Sequence, residues 1–452
     1  MLSIQHRLLP MRRPLAAVAL TLALALAAPA HAGDEPERVD AGASAPASGA
    51  RIELVPRPDA QTWPSACSFV RPICVHSATV ASPIAEALAD TERAWDTISQ
   101  ALGVPPPLAA FDTGRFDVYL IPNADESTRL LERDPRSGYD RATGFAIVGA
   151  GLRGCALDAA ITRQVLRGAL LRASPATDAI SAIGTSAALA QLIVPCGLAS
   201  DTAAIGAAQA HPASGIVDAL TGLPPRSASL FYGWLDEAFA RSPGAAITAT
   251  WALSPTRTPI DADHWFHEPD TFDVLRASFK GALSERSTLD DLIVGFGVAR
   301  AFVGRTSDDG HFLESRTLGD AATVALAWDV PWPSQPRGLA SPVGLAPTGS
   351  AYVLVHREGA APTARLRIES SWEQLMKLRW VAVKLDATGH ELARIPVATP
   401  DKAESVALTV DDLSGAASVL LVGTNVSAWD GPLEPDETPW EPHGWLLTIA
   451  AE

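Results

Sequence analysis

The stretch between Cys155 and Cys196 constrains the fold more than any other part of the sequence. It contains two apolar segments, 155–173 and 178–196, joined by a short turn that includes a proline. Apolar residues recur at helical spacing in both segments, which predicts two helices. In an antiparallel hairpin of similar helices, the start of one lies beside the end of the other. We therefore expect Cys155 and Cys196 to lie within disulfide distance.

The four cysteines of the chain all lie before residue 200. An even number without C-x-x-C metal spacing is typical of disulfides formed in an oxidising compartment. We predict that Cys67 pairs with Cys74 and that Cys155 pairs with Cys196. The alternative pairings, 67–155 with 74–196 and 67–196 with 74–155, remain open from the sequence alone.

The first 32 residues have the composition of a secretory signal peptide. A basic start with three arginines precedes an apolar run, 15–26, and then the A-x-A cleavage site Ala30-His31-Ala32. The apolar run is too short to cross a bilayer comfortably. We therefore predict cleavage after Ala32 and a secreted or periplasmic protein with no transmembrane segment in the mature chain.

The net charge of the chain excludes several classes of partner. It is −16 overall, and it becomes about −19 once the three positive charges of the signal segment are removed. The acidic residues are dispersed along the sequence rather than clustered. A surface this negative argues against nucleic acid and against anionic membrane surfaces as partners.

The sequence after the signal segment divides into regions of different pattern. Residues 33–60 are rich in Ala, Gly, Ser, Pro and charged residues, which predicts a flexible linker. Between 61 and 320 helical periodicity dominates, and alternating segments at 115–121 and 143–148 predict a small sheet. From 321 to 452, short alternating runs predict an antiparallel β-sandwich. The predicted fold class is α+β multidomain, with a mostly helical N-terminal domain followed by the sandwich.

Local patterns predict the individual helices of the first domain. One helix is expected to begin after Ser82 and Pro83 and to end at Gly103. Asn123 is expected to cap a short helix that runs to Arg133. Further helices are predicted at 199–210, 229–240, 245–253, 271–282 and 288–303.

Two motifs with catalytic associations are better explained as packing features. Gly149, Gly151 and Gly154 match G-x-G-x-x-G, but another helix follows where a dinucleotide-binding fold needs a second strand. Ser186 lies inside a helical pattern, whereas a nucleophile elbow needs a strand before its serine. We therefore predict no catalytic residue and no cofactor from these motifs.

His264 and His267 form a local group of metal-type ligands together with Glu268. Two histidines three residues apart can share a helical face, and a carboxylate could complete a zinc site. Pro269 and the surrounding acidic residues instead favour a loop that leads into a helix. We keep the two histidines only as candidate metal ligands.

Arg163-Gln164-Val-Leu-Arg167 lies in the first core helix, within a layout of one helix, a pair of strands and two core helices. This layout, from about residue 80 to 305, resembles the catalytic half of the gluzincin metallopeptidases, of the peptidase-MA-like kind. In that family the first core helix carries H-E-x-x-H and the second carries a glutamate. The matching positions here are Arg163, Gln164 and Arg167, with Thr185 or Ser186 on the second helix. The resemblance therefore implies a degenerate site that has lost its zinc motif.

The residues at the degenerate positions cannot perform zinc chemistry. Zinc needs lone pairs from imidazole, thiolate or carboxylate, whereas arginine offers only donors. Glutamine does not titrate and cannot act as a general base. Without common ancestry, Arg163, Gln164 and Arg167 would simply be the solvated face of an amphipathic helix. Both interpretations predict no metal at this helix.

We expect a secreted or periplasmic, non-catalytic, pseudopeptidase-like scaffold or binding protein, whose partner could be an envelope protein or a glycan. One alternative is a hydrolase with a site around residues 261–273. Another is an envelope- or carbohydrate-binding protein that acts through the sandwich, with tryptophans that could stack on sugars. The tryptophans concerned are Trp372, Trp380, Trp429, Trp440 and Trp445.

Overall fold

The structure, a computed structural model, describes most of the chain beyond the predicted signal segment. Of residues 49–51, 264–266 and 279 it describes the backbone only. The residues described are 49–51, 53–137, 139–217, 222–254, 264–266, 271–279, 288–308, 310–312, 315–361, 363–397, 399, 403–427 and 441–452.

Helices and strands both contribute to the described residues, as expected for the α+β class. The helices are α1 (Ile84–Ala101), α2 (Gly154–Leu171), α3 (Ala179–Ile193), α4 (Gly197–Ser200), α5 (Thr202–Ala210), α6 (Ser229–Phe239), α7 (Ala245–Leu253), α8 (Thr271–Phe279) and α9 (Leu289–Arg300). The strands up to residue 266 are β1 (Gly49–Arg51), β2 (Ser65–Cys67), β3 (Ile73–Ser77), β4 (Phe116–Ile121), β5 (Ser127–Arg133), β6 (Ala142–Gly149) and β7 (His264–Phe266). The later strands are β8 (Trp328–Val330), β9 (Arg337–Ala340), β10 (Ser350–His356), β11 (Leu366–Trp372), β12 (Leu378–Leu385), β13 (Glu391–Pro396), β14 (Ser405–Val410), β15 (Ser418–Asn425) and β16 (Trp445–Ala451).

The first sheet has the strand order β2-β3-β4-β6-β5. Strands β3, β4 and β6 are parallel, and β2 and β5 pair antiparallel at the two edges. The parallel strands are nearly continuous apolar runs, as expected for a sheet that is covered by helices. Helices α1 and α2 pack on this sheet and on each other, and their apolar side chains form the first core.

The prediction of a helix from Asn123 to Arg133 is wrong, because β5 occupies this segment. β5 pairs antiparallel with β6 and has an irregularity between Leu130 and Glu132. Asn123 adopts a positive φ of 55°, which places it in a turn rather than at a helix cap. The local sequence favours a helix, but pairing with the distant strand β6 decides the outcome.

Both predicted disulfides are present. Cys67 and Cys74 join the antiparallel strands β2 and β3, with Cα atoms 4.1 Å apart. Cys155 and Cys196 are bonded with Cα atoms 6.1 Å apart, and they tie the start of α2 to the turn between α3 and α4. These bonds agree with the expected oxidising compartment. Across the described ranges, no helix is both long enough and apolar enough to span a membrane.

The strands from β8 onward form two sheets that enclose a second core. One sheet has the order β13-β12-β15-β10-β8 and the other has the order β14-β11-β16-β9. The expectation of a purely antiparallel arrangement needs one correction, because β8 pairs parallel with β10. The chain leaves β8, contributes β9 to the opposite sheet and returns to β10, so that β8 and β10 run in the same direction.

The five-stranded sheet of this region also packs against α9. Val298 of the helix, and Phe302 just after it, belong to one apolar cluster with Tyr352 and Val422 of the sheet. The hydroxyl of Tyr352 donates a hydrogen bond of 2.7 Å to the carbonyl of Gly297. The helical and β-rich regions therefore share an apolar interface, and the domain boundary between residues 320 and 321 stays a prediction.

Residues before position 61 already contact the first sheet. The amide of Val55 donates to the carbonyl of Leu130 at 2.8 Å. The guanidinium of Arg57 pairs with Asp117 at 2.8 Å and also with Asp112. The last part of the predicted linker, residues 53–60, is therefore attached to the fold, while the proposed signal segment lies outside the described residues.

Candidate functional site: a charged cavity between two core helices

The four positions that the gluzincin resemblance singles out line a single cavity of about 480 Å³. This volume lies within the range of small-molecule sites. The residues around the cavity come from the β4–β5 connection, the end of β6, helices α2 and α3, and the segment before α6. They are Ala124, Asp125, Glu126, Gly149, Leu152, Arg163, Gln164, Arg167, Ile183, Ser186, Pro224, Pro225 and Arg226.

Helix α2 places its polar residues towards this cavity rather than towards bulk water. Arg163 and Arg167 are four residues apart and share one helical face. Arg163 and Gln164 are each only 3 % exposed. The interpretation of these residues as a solvated helical face is therefore wrong. α2 is covered by protein on almost every side, and Arg163 and Gln164 meet partners from other segments.

Arg163 is held by the carboxylate of Glu126, which no motif in the sequence relates to it. Its Nε and Nη2 atoms donate to the two carboxylate oxygens of Glu126 at 2.9 and 2.7 Å. Its Nη1 donates to Ser200 Oγ at 2.9 Å and lies 3.6 Å from a carboxylate oxygen of Asp201. The positive charge of Arg163 is thus neutralised inside the protein.

Asp201 completes this buried ion-pair network. Arg226 Nη1 lies 3.3 Å from Asp201 Oδ1, and Gln191 Nε2 donates to Asp201 Oδ2 at 2.9 Å. Burial raises the pKa of Asp201, although interactions with Arg163, Gln191 and Arg226 act in the opposite direction. The network links α2, α3, the turn after α4 and the segment before α6.

Gln164 and Ser186 are both used in structural hydrogen bonds. Thr128 donates to Gln164 Oε1 at 2.9 Å, and Gln164 Nε2 lies 3.4 Å from Glu126. The fully buried hydroxyl of Ser186 donates to the carbonyl of Ala182 at 2.6 Å. No histidine lines the cavity among the described residues, and Ser186 has no base to activate it.

The structure also separates the two candidate positions on α3. Thr185 donates to the carbonyl of Ser181 and accepts a hydrogen bond of 3.2 Å from Trp251 Nε1 on α7. Thr185 does not line the cavity, whereas Ser186 does. Of the two, Ser186 is therefore the one that shares a cavity with Arg163, Gln164 and Arg167.

Arg167 differs from Arg163 because its charge is not paired. Across the part of the chain that the structure describes, its guanidinium has no hydrogen-bond or salt-bridge partner. Burial lowers the pKa of Arg167 to about 10, and the nearby charge of Arg129 acts in the same direction against that of Glu126. Arg167 remains protonated at neutral pH and faces the cavity.

The other sequence-predicted site residues are not among the described residues that line this cavity. His264 lies in β7, where only the backbone is described, and His267 lies outside the described residues. The glycine-rich turn at Gly149–Gly154 is closed by the protein itself, because the amide of Gly154 donates to Glu86 at 2.7 Å. This contact agrees with the interpretation of the motif as a strand-to-helix turn.

The tryptophans of the β-rich region are packing residues where they are described. Trp372, Trp380 and Trp445 are all buried in or against the second core. Trp429 and Trp440 lie outside the described residues. A larger cavity of about 560 Å³ lies between residues 210–214 and the sandwich, and its walls are mainly apolar.

A group of potential metal ligands in the first sheet has a structural role. Cys74, His76 and Asp117 bring donor atoms close together. Cys74 is already bonded to Cys67, and Asp117 is paired with Arg57 as well as with His76 at 3.0 Å. These residues form a structural cluster on the neighbouring strands β3 and β4 of the first sheet.

Comparison with known proteins adds little to this geometry. No model of a known protein family matches the chain, and no curated protein is similar to it in sequence. Among solved structures, the chain is similar to the pre-peptidase C-terminal domain of a collagenase from Bacillus anthracis, with 6 % identity, a TM-score of 0.18 and coverage of 28 % of this chain and 97 % of that one.

Two further solved structures show a similar degree of likeness. One is CorA, a surface-associated copper-binding protein of Methylomicrobium album BG8, with 9 % identity, a TM-score of 0.18 and coverage of 28 % and 99 % of the two chains. The other is a CBM4 structure, with 16 % identity, a TM-score of 0.15 and coverage of 25 % and 81 %. Likenesses this low carry no argument about function.

Proposed function

We propose that this protein is a non-catalytic, pseudopeptidase-like binding protein of the cell envelope or the extracellular space, and that its binding site is the cavity between α2 and α3. In this proposal a helical domain, 61–320, carries the site and is followed by a β-sandwich domain, 321–452. The sandwich contributes to the stability of the helical domain through its contact with α9.

The observation that carries the proposal is the pairing of Arg163 with Glu126. A zinc peptidase would need a metal cation and an activated water near this part of α2. Here a guanidinium is hydrogen-bonded through two of its nitrogens to a carboxylate. The guanidinium of Arg163 would repel a zinc ion. The carboxylate of Glu126 is already hydrogen-bonded to this guanidinium and is not free to bind a metal.

The remaining polar groups also support binding rather than catalysis. Gln164 and Ser186 each have hydrogen-bond partners in the protein and carry no titratable group near neutral pH. The cavity nevertheless persists beside these residues at a volume of about 480 Å³. A cavity with a fixed polar wall and no acid–base pair is suited to holding a ligand.

A peptidase assay tests the non-catalytic part of the proposal. The mature protein, with both disulfides formed, would be incubated with casein and with a mixture of short peptides, in the presence and absence of added zinc. We expect no hydrolysis above that of a heat-inactivated sample. Zinc-dependent hydrolysis that a chelator abolishes would contradict the proposal.

A further inference from the structure

Arg167 is the one arginine on the cavity wall whose charge is unpaired within the described structure. Arg163 is neutralised by Glu126, and Arg226 lies beside Asp201. Arg167 has neither contact, although it is partly buried between α2 and its neighbours. A partly buried guanidinium without a protein partner has donors that are free to bind the acceptor atoms of a ligand.

The charge balance of the cavity leaves one positive charge to be compensated. Glu126 and Asp201 are used by Arg163 and Arg226, and the remaining acidic residue, Asp125, is exposed at the rim. Arg129, exposed on β5, adds to the positive potential around Arg167. The interior of the cavity therefore favours an anion over a neutral or cationic group.

The rest of the cavity wall indicates what else the ligand carries. Leu152, Ile183, Pro224 and Pro225 add apolar surface to the lining of the same cavity. Inorganic anions gain nothing from such a surface, whereas an organic acid can place its apolar body there. A guanidinium matches the planar geometry of a carboxylate with two parallel hydrogen bonds.

We propose that the cavity binds a small organic monocarboxylate, whose carboxylate is held by Arg167 and whose body lies on the apolar wall. This inference rests on the proposed binding function and adds the chemical class of the ligand. Arg163 does not contact the ligand carboxylate in this arrangement. It is a positioning residue, because its ion pair with Glu126 occupies the Glu126 carboxylate. Glu126 therefore does not pair with Arg167.

Calorimetric titration of the mature protein tests the proposal with a matched pair of probes. N-acetyl-alanine carries one carboxylate and a small apolar body, and N-acetyl-alaninamide has the same body without the charge. We expect millimolar or tighter binding of the acid and at least about tenfold weaker binding of the amide. Inorganic phosphate serves as the third probe and is expected to bind more weakly than the acid.

Variants on one helix separate the role of Arg167 from a general effect of charge. Arg167→Gln should weaken binding of the acid by about 10- to 100-fold. Arg172→Gln removes a charge from the residue that directly follows the same helix and lines a different cavity, and it should leave the affinity unchanged. If Arg167→Gln does not fold, Arg167→Lys keeps the charge, loses the forked geometry, and should still weaken binding severalfold.

Several results would overturn the inference. These are equal binding of acid and amide, binding of phosphate alone, absence of binding of all three probes, and unchanged affinity in folded Arg167 variants. Failure of the carboxylate-binding proposal can be distinguished from failure of the proposed non-catalytic function. Zinc-dependent peptide hydrolysis would contradict the non-catalytic proposal whatever the carboxylate affinity. Equal binding of acid and amide would leave a binding cavity but remove its anion selectivity.

Discussion

The guanidinium of Arg163 binds both carboxylate oxygens of Glu126, at distances of 2.7 and 2.9 Å, with side-chain exposures of 4 % and 20 %. Glu126 follows β4, whereas Arg163 lies near the middle of α2. This pair joins the sheet to the helix hairpin at the position that the resemblance assigns to the first zinc ligand. The stability of the protein is therefore expected to depend on this ion pair.

Removal of one partner of this pair should be strongly destabilising. In Arg163→Ala, Glu126 and Asp201 lose the guanidinium that neutralises them within the protein. We expect a decrease of about 3–5 kcal/mol in the free energy of unfolding, as is typical when one partner of a buried ion pair is removed. Urea denaturation at neutral pH measures the change.

An exposed ion pair provides the control for Arg163→Ala. Arg305 and Asp320 lie 4.0 Å apart, with side chains 73 % and 82 % exposed. Arg305→Ala should change the free energy of unfolding by no more than about 0.5 kcal/mol. Similar effects of the two substitutions would show that the Arg163–Glu126 pair has no special structural role.

The two disulfides should contribute unequally to stability. Cys155 and Cys196 are separated by 41 residues, whereas Cys67 and Cys74 are separated by 7. Loop-closure entropy predicts a contribution of about 4 kcal/mol for the first bond and about 2.4 kcal/mol for the second. The alanine pairs C155A/C196A and C67A/C74A, compared by urea denaturation, test this order. The reverse order would mean that native-state effects outweigh chain entropy.

His311 connects the helical region to the sandwich and should make stability depend on pH. Its Nδ1 lies 2.9 Å from Asp308, its Nε2 lies 2.8 Å from Glu391, and its ring stacks on Phe302. Burial opposes protonation, but the hydrogen bonds with Asp308 and Glu391 outweigh it and raise the pKa of His311. Burial also opposes ionisation of Glu391, yet His311 and Arg394 lower the pKa of Glu391 to about 2.

These shifts fix the pH range in which His311 stabilises the protein. The stabilisation from the raised pKa is fully present below the unfolded pKa of about 6.5 and is lost as pH rises through the folded value. The contribution of Glu391 is present above its unfolded pKa of about 4.3 and is lost as pH falls towards about 2. His311→Gln should therefore be most destabilising between pH ~4.5 and ~6.5.

A pH series of urea denaturation, comparing the wild type with His311→Gln, tests this dependence. The exposed pair of His356 and Asp329 supplies the control, and His356→Gln should show a small difference throughout. A difference for His311→Gln that grows as the pH rises above 7 would have the wrong sign for a protonated imidazole between two carboxylates.

The gluzincin resemblance can be tested by restoring its motif. The variant carries Arg163→His, Gln164→Glu, Arg167→His and Ser186→Glu, because these four positions line one cavity. If α2 and α3 keep the geometry of that family, the variant should bind one zinc per chain. The control variant has Ser186→Ala in place of Ser186→Glu and should bind zinc more weakly. A folded variant that gains no zinc would limit the resemblance to the order of elements.

Elements with strong local patterns were predicted well from the sequence. Helix α1 ends where Gly103 adopts a positive φ of 66°, and α2 and α3 follow from apolar residues at helical spacing. Strands β9 and β13 carry no such local pattern, because their residues are largely exposed and lack a clear alternation of apolar and polar residues. Their strand conformation comes from pairing with β16 and β12.

The sequence predicts which residues of α2 share the face at the cavity, but not which residues surround them. Arg163 and Arg167 could be placed on one face of α2 from their spacing alone. Their environment could not be predicted, because Glu126 is 37 residues away in sequence and belongs to a segment that was predicted to be helical. Arg226, in the segment before α6, carries no local motif that relates it to Asp201.

Zinc content measures the central claim most directly. The mature wild-type protein would be incubated with excess zinc, dialysed and analysed by plasma mass spectrometry. Because Arg163 and Arg167 of α2 offer only donors and no lone pair to a metal, we predict that no stoichiometric zinc is retained. One zinc per chain, lost when His264→Ala and His267→Ala are combined, would contradict this account and would favour a hydrolytic site around residues 261–273.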